Sequence, residues 1–340
     1  MKLSIQRLQA EAEATGFRAE VLEKVIHLLH LLGTIQVHPF LQGKLALKGG
    51  TALNLFLFDL PRLSVDIDLN YIGAADRATM LQEKPKLEQA VQAVCGRLGI
   101  QVKRVPGEHA GGKWRLSYDS ALGRPATMEL DLNMLLRTPL WPPVVTDSHP
   151  IGAFSARQVP VLNIHELAAG KIAALFSRGA SRDLFDVHNL LREPGLDMTR
   201  LRLGFLVYGG ANRKDWRQID IEDIQAEPVD VERQLLPMLR ANLTPNRSEI
   251  LPWTEHLVQE CRRMISHMLL PLQAQEIDFL TRLNERGEIA PECLTGDKEM
   301  QAIIQSHPAL LWKAMNVRNY FGGRGSEGDL SHDSGNVKEG

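Results

Sequence analysis

Cysteine is scarce in this chain of 340 residues: Cys95, Cys261 and Cys293 are all it has. They are far apart, odd in number and form no CxxC pair, which argues against a disulfide framework and against structural zinc. Reduced, buried thiols are expected instead. Also missing is any apolar run near the ~18 residues a membrane-spanning helix needs. Met1 to Arg18 mixes charged and apolar residues and lacks the apolar centre of a signal peptide, so a cytoplasmic protein with no membrane partner is expected. An excess of basic charge is absent as well: 39 Lys and Arg stand against 41 Asp and Glu, a formal net charge of -2. Bulk electrostatics would not hold such a chain to nucleic acid, so an RNA partner would need a local basic face.

What is present is a chain long enough for a large core, with 44% hydrophobic residues. Residues 1–40 read as helices, with Val21, Leu22, Val25, Ile26, Leu28, Leu29 and Leu32 near helical spacing and Gly33 as a stop. A short strand follows at Leu45–Lys48, then Gly49-Gly50-Thr51, then a short apolar helix from Ala52 to Phe58. Leu63 to Tyr71 alternates: Val65, Ile67 and Leu69 share one face, and Ser64, Asp66, Asp68 and Asn70 the other. Residues 76–99 read as a helix ending at Gly99. Strands are expected at 100–105, 114–118 and 126–135, the last two joined by a turn at Gly123-Arg124-Pro125, with another short one at 159–162. Beyond Ile164 the pattern is helical, at 164–178, 181–192, 229–241, 248–268, 272–285 and 297–305. The expected class is α+β. An α/β lobe with a mixed sheet spans residues 1–160, an α-helical lobe spans 161–321, and a polar tail at 322–340 is expected to be disordered.

Four features carry chemistry. Gly49-Gly50-Thr51 sits between a strand and a helix, where glycines allow close backbone approach and free N–H groups face phosphate oxygens. Thr51 can donate a hydroxyl or cap the helix; taken alone, the segment also suits a tight turn. Asp66 and Asp68 stand at i and i+2 on one strand face, about 6–7 Å apart. Their like charges repel unless a hard divalent cation joins them, and oxygen ligands suit Mg²⁺. Glu129 and Asp131 share a face of a second alternating strand, and either could supply a third carboxylate for metal or for proton transfer. Leu130 and Leu132 favour Asp131. Finally, Lys171 and Arg178 are seven apart on one helix and could grip triphosphate oxygens. Asp183 and Asp186 are neighbours on the next helix.

The run Lys48-Gly49-Gly50-Thr51-Ala52-Leu53, followed by Arg62-x-Ser64-x-Asp66-Ile67-Asp68-Leu69, resembles the opening motifs of the AbiEii/AbiGii-type toxin nucleotidyltransferases of the DNA polymerase β-like superfamily. Lys171 to Arg178 and Arg182-Asp183-Leu184-Phe185-Asp186 resemble that family's later motifs. The resemblance implies that Asp66 and Asp68 hold Mg²⁺ (or Mn²⁺) and triphosphate, that Gly49, Gly50 and Thr51 meet phosphate, and that Ser64 supports them. It implies that Lys171 binds nucleotide, with Asp186 completing the active site and Asp183 orienting Arg178 or Lys171. Asp131 fits the superfamily's third carboxylate. It further implies a toxin of a bacterial toxin–antitoxin or phage-defence system, which transfers NMP from NTP to the 3′ end of tRNA and has a cognate antitoxin. Arg200, Arg202, Arg213, Lys214, Arg217, Arg262 and Arg263 are candidates for the RNA-facing surface. Transfer to a protein or small molecule and a non-catalytic nucleotide-binding module remain as alternatives. A metal-dependent hydrolase is disfavoured by the lack of histidine ligand pairs.

Overall fold

The computed structural model describes residues 3–105 and 110–325. Two helices open the chain, α1 (Ile5–Thr15) and α2 (Ala19–Gln36), followed by β1 (Leu45–Lys48) and α3 (Gly49–Ala52), which continues as a π-helical turn over Leu53–Leu57. Then come β2 (Asp66–Tyr71), α4 (Arg77–Arg97), β3 (Gln101–Arg104), β4 (Gly111–Asp119), β5 (Pro125–Asn133), β6 (Val144–Thr146) and β7 (Val159–Val161). The remainder is helical: α5 (Ile164–Arg178), α6 (Ser181–Leu190), α7 (Met198–Gly210), α8 (Pro228–Asp230), α9 (Ile250–Met268), α10 (Ala274–Thr281), α11 (Lys298–Gln305) and α12 (Pro308–Gly325).

The strands form one seven-stranded mixed sheet in the order β3-β4-β5-β2-β1-β7-β6. Two pairings, β2 with β5 and β1 with β7, are parallel, and the others are antiparallel. The alternation read from sequence places Ile67 and Leu69, and on β5 Met128, Leu130 and Leu132, in the core. Burial of each such side chain contributes roughly 1.5–3 kcal/mol. It also fixes the register, because a one-residue slip would turn the acids into the core. Asp66 therefore pairs with Glu129, and Asp68 with Asp131.

Local signals set several helix ends. Asp76 caps α4 by accepting from the Thr79 amide at 2.8 Å. Asn163 caps α5 through the His165 amide at 3.1 Å, and Gly179 ends that helix in the left-handed region. One apolar cluster runs from Leu8 to Ala314, so sheet and helices share a core.

Several expectations need correction. Gly33 lies inside α2, which continues to Gln36 and buries Ile35. The helix expected over 229–241 is instead a succession of short α, π and 3-10 turns, in keeping with Pro237 next to Leu236. The one expected over 272–285 passes from α10 into a π-helical turn over Arg282–Arg286. Two further helices, α7 and α12, were not anticipated. Because α12 extends to Gly325, the first residues of the expected disordered tail are helical, while 326–340 fall outside the described residues. Among the described residues no helix is long and apolar enough to cross a membrane.

Candidate active site

The sheet's two central parallel strands bring the acids together. Asp66 and Asp68 project from β2, and Asp131 lies beside Asp68 on β5. All three are half-buried, and among the described residues none of their side chains accepts a hydrogen bond or forms an ion pair. Burial raises the pKa of Asp66, with Asp68 adding to the shift and Arg182 opposing it. Burial likewise raises Asp131, against the pull of Lys48. Glu129, the alternative third carboxylate, is instead engaged by Lys113 at 2.9 Å. The geometry thus leaves Asp131 as the unpaired carboxylate next to Asp68.

The glycine turn packs directly against these acids. Gly49 has φ +73°, and a Cβ there would sit 2.2 Å from Asp68 Oδ2. A Cβ on Gly50 would sit 2.8 Å from Arg62 Nη2 and 2.9 Å from Ser64 Oγ. The first glycine makes room for a carboxylate, and the second for an arginine and a serine. No side chain caps the start of α3. Thr51 is fully buried, and its Oγ1 donates to the Asp66 carbonyl at 2.5 Å. It anchors the start of β2 and does not line the cleft.

The facing wall comes from α5 and α6. Lys171 Nζ donates to Asp183 Oδ1 at 2.7 Å and pairs with Asp186 Oδ2 at 2.8 Å. Two of its three donors are therefore used, leaving one for a ligand. Arg178 is held through Nε to Asp183 Oδ2 at 2.6 Å and Nη2 to Oδ1 at 3.0 Å. Asp183 is thus the residue that orients both cations. Asp186 is fully buried and takes Arg62 Nε at 2.7 Å, Arg62 Nη2 at 2.5 Å and Asn54 Nδ2 at 2.9 Å. Those partners hold its carboxyl well below the usual aspartate range against the cost of burial. Asp186 is placed as the centre of a support network, not as a group reaching into the cleft.

The cleft between the two walls has a volume of about 340 Å³. Five acidic and five basic side chains line it. Most of the cations are committed: Arg62 and Lys171 to the aspartates beneath them, Arg178 to Asp183, Lys113 to Glu129. Asp66, Asp68 and Asp131 remain against Arg182, so the β2/β5 side carries excess negative charge. An oxygen-only set of that kind suits a hard divalent cation. Among the described residues, however, no three His, Cys, Asp or Glu side chains close on one point as a complete metal site. The three-carboxylate set expected from sequence is therefore open, and a bound cation would need oxygens from substrate and water.

Sequence reasoning overlooked Lys113 and Asn54, and it placed Arg62 and Arg182 only as motif positions. Arg62 and Asp186 are 124 residues apart, a separation that no local periodicity reports. The expected basic face fares differently. Arg202 pairs with Glu276, Lys214 with Asp223, Arg217 with Asp215 and Glu285, Arg262 with Glu222 and Arg263 with Glu260. Only Arg200 and Arg213 of that set have no ion pair among the described residues.

The geometry can be set beside known proteins. Comparison with characterised protein sequences finds no match. Among solved structures, the fold is similar to that of MenT4, a nucleotidyltransferase toxin from Mycobacterium tuberculosis H37Rv. The TM-score is 0.61 and the identity 18%, covering 91% of this chain and 99% of that one. A sequence model for the nucleotidyl transferase AbiEii toxin, type IV TA system, matches residues 30–259, a stretch that contains the acid pair, the glycine turn and the supporting cations. The chain belongs to the AbiEii nucleotidyltransferase toxin family of type IV toxin–antitoxin systems.

Proposed function

We propose that the protein transfers a nucleoside monophosphate from an NTP to the 3′-terminal hydroxyl of an RNA, with tRNA as the acceptor, in a reaction that needs Mg²⁺ or Mn²⁺. The observation that carries this reading is the set of three unpaired carboxylates on adjacent parallel strands, facing cations held in place by buried aspartates. Family membership implies an NTP substrate and a cognate antitoxin.

Asp66 and Asp68 would hold the cation, which when bound neutralises charge on the phosphates and favours departure of pyrophosphate. Lys171 and Arg178 would bind the triphosphate, pre-oriented by Asp183 so that little side-chain entropy is lost on binding. Gly50, with Ser64 beside it, would let phosphate oxygens approach the backbone. The acceptor oxygen attacks the α-phosphorus, and the bond to the β-phosphate oxygen breaks in line. The acceptor proton would pass to Asp131, the carboxylate beside Asp68 that no cation of the site engages. Asp186 acts through Arg62 and Lys171 and is a positioning residue.

A protein or small-molecule acceptor is the second reading, favoured by the ion pairing that neutralises most of the expected basic face. Incubation with α-labelled NTPs and separate RNA, protein and small-molecule pools tests both. Label in tRNA that is lost on chelation supports the first; label confined to another pool replaces it with the second.

A further inference from the structure

A second recess of about 490 Å³ adjoins the acid cleft and shares Asp68, Lys171 and Arg178 with it. Its volume falls in the roughly 300–1,000 Å³ range of small-ligand sites. One wall is a single face of α5, where Gly170, Ala173, Ala174 and Ser177 recur at helical spacing. Their small side chains leave a slot, which Leu135 and Leu136 also line. A largely apolar slot walled by small side chains beside a phosphate grip has room for a nucleobase.

The slot also holds a buried polar pair unused by the chemistry above. Glu166 is 2% exposed. Its Oε1 accepts from Tyr208 Oη at 2.9 Å and its Oε2 from the Leu140 amide at 3.1 Å, with the Trp141 amide also directed at it. A carboxylate offers about four acceptor sites, so one remains. Tyr208 donates to Glu166 and keeps its own oxygen as an acceptor. Burial pushes Glu166 up to about 7; in its carboxylate form it presents acceptor oxygens only.

We propose that this slot receives the base of the incoming nucleotide, and that Glu166 and Tyr208 determine which base is accepted by pairing with an exocyclic amino group. Adenine, cytosine and guanine carry such a donor. Uracil presents carbonyl oxygens in its place and would leave the buried acceptors unpaired, the kind of mismatch that polar sites reject most strongly. The inference rests on the nucleotidyl transfer reading and adds the basis of substrate choice.

The test measures kcat/KM for each of the four NTPs with the full-length protein, alongside equilibrium binding of each NTP and of inorganic tripolyphosphate. Wild type is expected to disfavour UTP by at least tenfold relative to its best substrate. In Glu166→Gln the side-chain amide supplies a donor, so the UTP disadvantage should shrink at least tenfold while tripolyphosphate binding stays unchanged. A merely structural glutamate would lower all four rates together and keep their ranking. Ala174→Leu, on the half-exposed helix face, should raise KM for every NTP without weakening tripolyphosphate. An unchanged ranking in Glu166→Gln, or unchanged KM in Ala174→Leu, overturns the inference alone. If wild type binds no NTP, the transfer reading falls and takes this inference with it.

Discussion

Arg62 grips Asp186 through two parallel hydrogen bonds, Nε to Oδ1 at 2.7 Å and Nη2 to Oδ2 at 2.5 Å, with 2% and 0% of the two side chains exposed. The pair joins the segment before β2 to α6, and thereby joins the acid wall to the cation wall. Lys171 rests on the same carboxylate.

Breaking that pair should destabilise the whole molecule. Removal of one partner from a buried ion pair costs about 3–5 kcal/mol, because the other charge is left uncompensated. Asp186→Asn is expected to lower the unfolding free energy by that amount, read as a lower urea midpoint. Because the folded pKa of Asp186 lies below the unfolded one, its stabilisation is complete above about pH 3.9. It is lost as pH falls through the depressed folded value. Urea titrations of wild type and variant between pH 7 and pH 3 check this: the gap between them should narrow toward acid, and a gap independent of pH would contradict it.

Asp66→Asn should behave in the opposite way for stability while losing function. The folded pKa of Asp66 is raised by burial and by Asp68. Its contribution is therefore most favourable below the unfolded pKa and falls as pH rises through the folded one. Removal of the charge should raise the thermal midpoint at neutral pH, because burial and Asp68 disfavour the ionised form. Transfer of label from NTP should vanish. Calorimetry with and without Mg²⁺ supplies the check, since only wild type should gain stability from the cation.

Gly49→Ala tests the packing of the glycine turn. The left-handed backbone costs a non-glycine residue about 1–3 kcal/mol, and the new Cβ would meet the Asp68 carboxylate. A displacement of that group by about 1 Å should lower transfer on the order of 100-fold. The expected pattern is a larger loss in kcat than in the folded fraction at 25 °C, measured by circular dichroism beside single-turnover transfer. Equal losses would place the effect in folding alone.

Much of the acid wall was legible because its signal is short-range. Alternation over residues 66–69 and 126–133 fixed which side chains face the core, and with it the common face of Asp66, Asp68 and Asp131, whereas Asn70, expected on the polar face, is fully buried. The helix starts read near residues 76 and 164 coincide with caps at Asp76 and Asn163. The rest depends on contacts that no window of sequence contains. Arg62 reads only as a motif position until Asp186 arrives from 124 residues away. Thr51 reads as a phosphate ligand until the Asp66 carbonyl occupies its hydroxyl. Arg202 and Arg217 read as an RNA-facing surface until Glu276 and Glu285 pair with them. The α7 helix escaped notice because Leu201, Leu203, Phe205, Leu206 and Val207 are buried on several sides, which leaves no single apolar stripe.

One rod, α5, borders both recesses: Lys171 and Arg178 line both, while Gly170 and Ala174 line the slot alone. A tilt or axial shift of that rod would move the phosphate grip and the slot's width in the same stroke. Changes in the β5 end at Leu135 and Leu136 would reshape the slot alone. Substitutions in the segment after β5 would therefore alter the recess without displacing Lys171 or Arg178.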